Sequence, residues 1–450
     1  MSYLYTYVLS SLLSTFWGTP KTQLSSVRTS NEIDSFQSIG LKTSKPMKDS
    51  FLIGIYWPPV WEHSNDKQYG RMREAHIDII QNHITTDLST QEKNLKILDL
   101  AKKFGLKVLV ADSRLNGSKK DVEDFVKSYK DHPGTGGYMV KDEPYPADFD
   151  SCLSIYNTIL EMDPHKILCV NLHPIYAPIP NYETQYVEAW VKKVKAQNLK
   201  YLSFDYYPFS ANGNFLDSFY VNLDIIRRIG LKYDVKTSSY LQSMGLIPPP
   251  TSKGTGLKRP NAVELRHNVY TTLAYGIKHP VWFTYWTVRP GPGYGTFTSA
   301  IIDSLGNPTN LYLPFKKLNR EMKQLGKTLI ELDAKDVFHT GDIQITGKKI
   351  IDGLPGLPSD FIVQPRDPSA ELIITRFIHR ANGKKYVMIV NKSFSEQKTL
   401  IFHLKSQLNS LHRISEVTGN EESVKINLSD NSFQATFLPG EGKLFLLNTN

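Results

Sequence analysis

Cysteine is nearly absent: Cys152 and Cys169 are the two in 450 residues. That excludes a disulfide framework and a thiolate metal site. Both sit in apolar segments, where buried free thiols are expected. No run of apolar residues is long enough for a membrane span. The net charge of +9 is not gathered into basic runs, and no nucleic-acid module is recognisable, so a nucleic-acid partner is not expected. No His-x-His accompanies the first apolar run, and no other metal-ligand spacing is present, so neither metal nor cofactor is expected. No Gly-x-Gly-x-x-Gly turn follows that run, which removes the dinucleotide-binding fold. Oligomeric state leaves no mark in the sequence.

Charge is also missing from Met1 to Trp17, a stretch rich in Leu, Tyr and Ser. It has no positive start and no obvious small-residue cleavage site, yet an export segment is the expectation, giving a secreted or periplasmic protein. Residues 1–50 read as an irregular lead-in.

What is present is an ordinary globular composition, 40% hydrophobic and 22% charged, which supplies a sizeable core. From Phe51 a short apolar run, a loop and an amphipathic helix recur about every 30 residues, the length of a strand–helix unit. The runs are Phe51–Tyr56, Ile77–Gln81, Lys107–Asp112, Gly136–Lys141, Lys166–Asn171, Lys200–Tyr207, Tyr233–Tyr240 and Pro280–Trp286. Leu95, Leu98 and Ala101 mark the apolar stripe of one intervening helix. Eight such units predict an α/β fold, a (β/α)₈ TIM barrel over 51–332, closed by a helix near Leu311–Leu332. Beyond it the texture changes to short alternating strands with turns such as Ala381-Asn382-Gly383. Residues 333–450 are therefore expected to form an antiparallel β-sandwich domain, with a Pro-rich loop over Ile351–Ser369.

In such a barrel the chemistry lies at the C-terminal strand ends. The fourth run is the sharpest: Gly136-Gly-Tyr-Met-Val-Lys-Asp-Glu-Pro144 reads as a strand stopped by two carboxylates and a proline. The proline favours an extended Glu143. Alternation along the strand turns Asp142 and Glu143 to opposite sides, so they take different roles. The other ends deliver Trp57, Asp112, Asn171 with His173, Asp205 with Tyr207, Gln242, and Tyr285 with Trp286. Carboxylates, amides and broad aromatic faces around one mouth fit a sugar. Rings stack on the apolar faces of pyranoses, and polar side chains bond the hydroxyls. Trp57, Tyr207 and Trp286 are expected to form one aromatic wall, with Asp112, Asp142, Asn171 and Tyr285 as further substrate contacts.

The barrel region resembles the clan A glycoside hydrolases, and most nearly the family 42 β-galactosidase group. The likeness is carried by Lys-Asp-Glu-Pro at Lys141, Phe-Asp-Tyr-Tyr-Pro at Phe204, Phe-Thr-Tyr-Trp at Phe283, and the stretches Glu264–Gly276 and Ile301–Thr309. Leu438–Leu447 resembles the C-terminal β-domain often attached to such barrels. The resemblance implies a carbohydrate substrate, hydrolysis of a glycosidic bond, and Glu143 as the acid/base at the end of strand 4. Two positions depart from the pattern. Asp142 stands where Asn is usual, and Gln242 stands where strand 7 normally carries a nucleophilic Glu.

An amide cannot attack an anomeric carbon, so the second carboxylate must come from elsewhere. Asp205 is the first choice, because strand 6 delivers it to the mouth; Glu62, Asp112 and Glu264 are the others. Two alternatives stay open: a lapsed barrel that binds carbohydrate without cleaving it, and an engineered variant in which Gln242 replaces a native Glu.

Overall fold

The computed structural model describes residues 50–249, 256–288, 295–341 and 354–448. The export segment expected at Met1–Trp17, and most of the Gly291–Gly295 loop, lie outside them. Eight parallel strands close into a barrel: β1 (Gly54–Tyr56), β2 (Ile79–Gln81), β3 (Lys107–Val110), β4 (Thr135–Asp142), β5 (Ile167–Leu172), β6 (Leu202–Phe204), β7 (Thr237–Gln242) and, after a short β8 (Leu246–Ile247), β9 (His279–Phe283). β9 returns to β1 with Gly54 opposite Val281. The fold class expected from the strand–helix repeat is therefore the observed one.

The helices form because the sequence both starts and stripes them. α1 (Asp66–Glu74), α2 (Gln91–Lys103) and α3 (Lys119–Tyr129) begin at Asn65, Thr90 and Ser118, whose side chains accept hydrogen bonds from backbone N–H groups of the first turn. Along α3, Val122, Phe125, Val126 and Tyr129 are buried at helical spacing. α4 (Phe149–Met162), α5 (Glu188–Val194), α6 (Ser218–Tyr233), α7 (Ala262–Ala274) and α8 (Tyr312–Leu329) complete the ring. β9 stops at Phe283, so Tyr285 and Trp286 lie beyond the strand that was expected to include them. β8 pairs antiparallel with β10 (Thr296–Phe297) in a small two-stranded sheet, an element the repeat did not foretell.

The chain leaves α8 at Leu329 and enters a second sheet at Leu332. Six antiparallel strands, β11 (Leu332–His339), β13 (Leu372–His379), β14 (Lys385–Asn391), β19 (Gly442–Asn448), β16 (Ser410–Ile414) and β17 (Glu421–Val424), are joined in that order. A three-stranded sheet of β12 (Val363–Pro365), β15 (Lys398–Leu404) and β18 (Ser432–Phe437) covers one face. Alternation divides each central strand between two cores. Val387, Ile389, Phe445 and Leu447 pack against the smaller sheet, while Met388, Val390, Leu444 and Leu446 join the barrel core. Arg227 on α6 donates to the carbonyls of Ala334 and Lys335, and Arg266 on α7 to that of Pro439. The β-domain is thus fastened to the outer helices, and its Phe394 also packs on Phe209 and Phe215 in the loop that follows β6.

Candidate active site

β4 holds the key to the mouth. Its register against β5 slips between Met139 and Lys141, and such a bulge re-aims the residues that follow it. Asp142 is turned into the barrel. Its Oδ2 accepts from the Tyr56 hydroxyl at 3.1 Å and its Oδ1 from the Asn171 amide at 3.1 Å. Ser203 Oγ donates in turn to Asn171 Oδ1 at 3.2 Å. Asn171 is thereby committed to holding Asp142.

Glu143 is not extended, contrary to what the following proline favours. Its φ is +45°, the left-handed region, which costs a non-glycine residue about 1 kcal/mol or more. The surroundings hold it there. Glu143 N donates to Asn171 O at 2.8 Å, and the Tyr186 hydroxyl donates to Pro144 O at 2.7 Å while accepting from His173 N at 2.9 Å. Tyr182 adds a bond to His173 O at 2.6 Å. The Glu143 carboxyl ends 3.3 Å from His173 Nδ1, and the Tyr145 ring packs on the imidazole at 4.4 Å.

Asp205 follows β6 and is buried with Oδ1 unpartnered; Glu143 Oε2 and His173 Nε2 share that condition among the described residues. Burial, then the charges of Glu143 and Asp142, push the Asp205 carboxyl well above the usual carboxylate range. Burial, then the charge of Glu143, raise Asp142 to about 7 against the opposing bonds from Asn171 and Tyr56. Three carboxyl groups from two neighbouring parts of the mouth therefore feel one another in a poorly solvated setting, the condition under which one of them keeps its proton.

A cavity of about 430 Å³ opens at the same end, bounded by the loops after β2 and β3 and by the end of β4. Asp142 is the one carboxyl in its lining; His83, Thr85, Ser113, Asn116 and Lys141 supply the other polar groups.

Several expected contacts are engaged elsewhere. Asp112 is gripped by the Arg114 guanidinium at 2.7 and 3.1 Å and by the Tyr129 hydroxyl at 2.7 Å, so its oxygens brace α3. Gln242 is fully buried: its Oε1 accepts from Phe209 N, and its Nε2 donates to the carbonyls of Phe209, Met244 and Lys258. It ties three loop segments together and has no polar atom left for a sugar. Tyr285 packs on Phe315 of α8, on the outside of the barrel. The aromatic wall does not form as one surface. Tyr207 is buried on Phe283 at 4.8 Å, Trp286 is buried on His63 at 5.0 Å, and the partly buried Trp57 lies beside Tyr56. None of the three lines the cavity. The reason is common to all: an aromatic past a strand end is as good a plug for the barrel as a platform for a ring.

Sequence reasoning passed over Tyr182 and Tyr186, which were visible as the cluster Tyr176–Tyr186 that follows β5 directly. Among the described residues no group of three or more His, Cys, Asp and Glu side chains is arranged to hold a metal. No helix there is long and apolar enough to cross a membrane. Both cysteines are free and buried.

No family model and no curated protein matches this chain. Solved structures do. A catalytic mutant of a family 42 β-galactosidase from G. stearothermophilus aligns over 91% of this chain and 99% of its own, with a TM-score of 0.54 and 10% identity. A family 5 glycoside hydrolase from Bacteroides vulgatus covers 89% of both chains at 0.50 and 14%. A family 39 glycoside hydrolase from Bacteroides cellulosilyticus covers 89% of this chain and 81% of its own at 0.50 and 11%. At these identities the likeness is one of fold: an eight-stranded α/β barrel followed by a β-domain.

Proposed function

We propose that this protein hydrolyses glycosidic bonds in an oligo- or polysaccharide, with Glu143 and Asp205 as the carboxyl pair and Asp142 beside them. Hydrolysis needs one carboxylic acid to protonate the leaving oxygen and a second carboxylate to attack or to activate water. The observation that carries the reading is the gathering of three mutually interacting carboxyls, Asp142, Glu143 and Asp205, at the C-terminal ends of β4 and β6. Burial and two acidic neighbours push the Asp205 carboxyl above the usual carboxylate range, which favours its protonated form, while the Glu143 carboxyl lies 3.3 Å from His173 Nδ1. A carboxyl raised in this way suits the acid role. This reading assigns to Asp205 the proton-donor role that the resemblance implies for Glu143. No cofactor enters the reaction.

The engagement of Gln242 by four protein partners favours a second reading, a barrel that binds carbohydrate without cleaving it. It removes strand 7 as a source of nucleophile and turns this residue into a structural tie. The experiment that separates the readings incubates the protein with a panel of neutral and acidic oligosaccharides and scores reducing ends and binding together. Release of new reducing ends supports hydrolysis. Saturable binding with no cleavage across the panel supports the binding barrel.

A further inference from the structure

The cavity at Asp142 is not isolated. A second one, of about 330 Å³, lies between α3 and α4, and both are lined by Leu115, Asn116 and Lys141. Lys141 therefore stands in the wall common to the two. Its ammonium has no hydrogen bond or ion pair among the described residues, although an unpaired Lys in a partly buried place is uncommon. The adjacent carboxylate does not take it, because Asp142 is turned into the barrel and engaged by Tyr56 and Asn171. Asn116 and Ser113 beside it also make no side-chain hydrogen bond there. Lys119, farther along the second cavity, is held only by a 4.0 Å contact with Glu161. The field of Lys141 is felt locally: after burial, it is what presses His83 on the cavity wall down to about 4.

We infer that the paired cavities form one cleft for an acidic oligosaccharide, with the anionic group of a sugar unit, carboxylate or sulfate, seated on Lys141 next to the catalytic acids. An anion is the ligand that completes this wall: it neutralises the one unpaired cation and accepts from the Asn116 amide and Ser113 hydroxyl. A neutral sugar would leave the ammonium desolvated and unpaired, which is costly. Two adjoining cavities with a shared lysine suit more than one sugar unit. The overall charge of +9 favours approach of such a chain at low salt.

This inference rests on the carbohydrate reading of the barrel, and its test is kept to binding so that the two stand or fall separately. Binding is measured to an array of oligosaccharides in matched neutral, carboxylated and sulfated forms, for the parent, Lys141→Met and Lys141→Arg. The parent is expected to prefer anionic over matched neutral members by about tenfold or more. Lys141→Met should erase that preference, and Lys141→Arg should keep most of it. The carboxylated and sulfated arms identify which anion is read. Equal binding of neutral and anionic members, binding of none, or an undiminished preference in Lys141→Met overturns the inference. Acidic members bound but never cleaved leave it standing and overturn only the hydrolase reading; neutral members preferred and cleaved do the reverse.

Discussion

The carboxyl of Glu143 and the imidazole of His173 meet at 3.3 Å, and the far atom of each, Glu143 Oε2 and His173 Nε2, is buried without a partner among the described residues. A contact made at such cost, by a residue whose backbone sits at φ +45°, fixes where the Glu143 carboxyl stands relative to Asp205. Replacing the imidazole with a ring of similar volume, His173→Phe, should leave the fold intact and lower kcat on the order of 10²-fold, with KM little changed. Equal losses in kcat and kcat/KM on all substrates mark a positioning effect, whereas an unchanged kcat removes His173 from the account.

Tyr186 ties the two halves of this arrangement together, bonding Pro144 O and His173 N through one hydroxyl. Tyr186→Phe strands a buried carbonyl and a buried N–H. It should cost about 1–3 kcal/mol in a denaturant titration and slow turnover as well. A stability equal to the parent's would show that the loop after β5 does not depend on that hydroxyl.

Gln242→Glu should not restore a nucleophile. The amide nitrogen now donates to three backbone carbonyls, and a carboxylate there would face the same oxygens with no proton to offer. A loss of roughly 3 kcal/mol or more is expected, with no gain in hydrolysis. A stable, more active Gln242→Glu protein would instead mean that this position is a vacated nucleophile.

The raised acids give stability a defined pH dependence. Asp142 titrates near 7 when folded against about 4 when unfolded, so between those values the native state binds more protons. The contribution of Asp142 to stability then falls as pH rises from about 4 to about 7 and levels off above; Asp205 is shifted in the same direction, while the buried His83, His267, His279 and His339, all lowered by burial, contribute the opposite slope. Asp142→Asn removes one of these acids. Its stability relative to the parent should rise across that window and, at pH 8, exceed the parent's by on the order of 1–2 kcal/mol. Melting curves of parent and variant from pH 4 to pH 8 check this, and a variant that gains nothing on the parent over that range contradicts it.

The barrel was legible because eight apolar runs at a regular spacing admit few architectures. The acids were legible because Asp142, Glu143 and Asp205 end such runs. What alternation could not reveal was the slip in β4 and the left-handed turn at Glu143, since both arise from contacts with β5 and Tyr186 far along the chain. Asp112 and Gln242 misled for one reason: a polar residue at a strand end looks the same whether it faces a sugar or Arg114 and the carbonyls of a neighbouring loop. Tyr285 and Trp286 misled because the eighth barrel strand ends two residues before them.

Asp205 as proton donor with Glu143 as its carboxylate partner is tested by comparing hydrolysis rates of Asp205→Asn and Glu143→Gln on two substrates that share a sugar, one with a natural sugar leaving group and one with a dinitrophenyl group that departs without protonation. Asp205→Asn is expected to lose about 10²–10⁴-fold on the natural substrate and far less on the dinitrophenyl glycoside, while Glu143→Gln loses heavily on both. The reverse pattern would return the proton-donor role to Glu143, and full activity in either variant would contradict the claim.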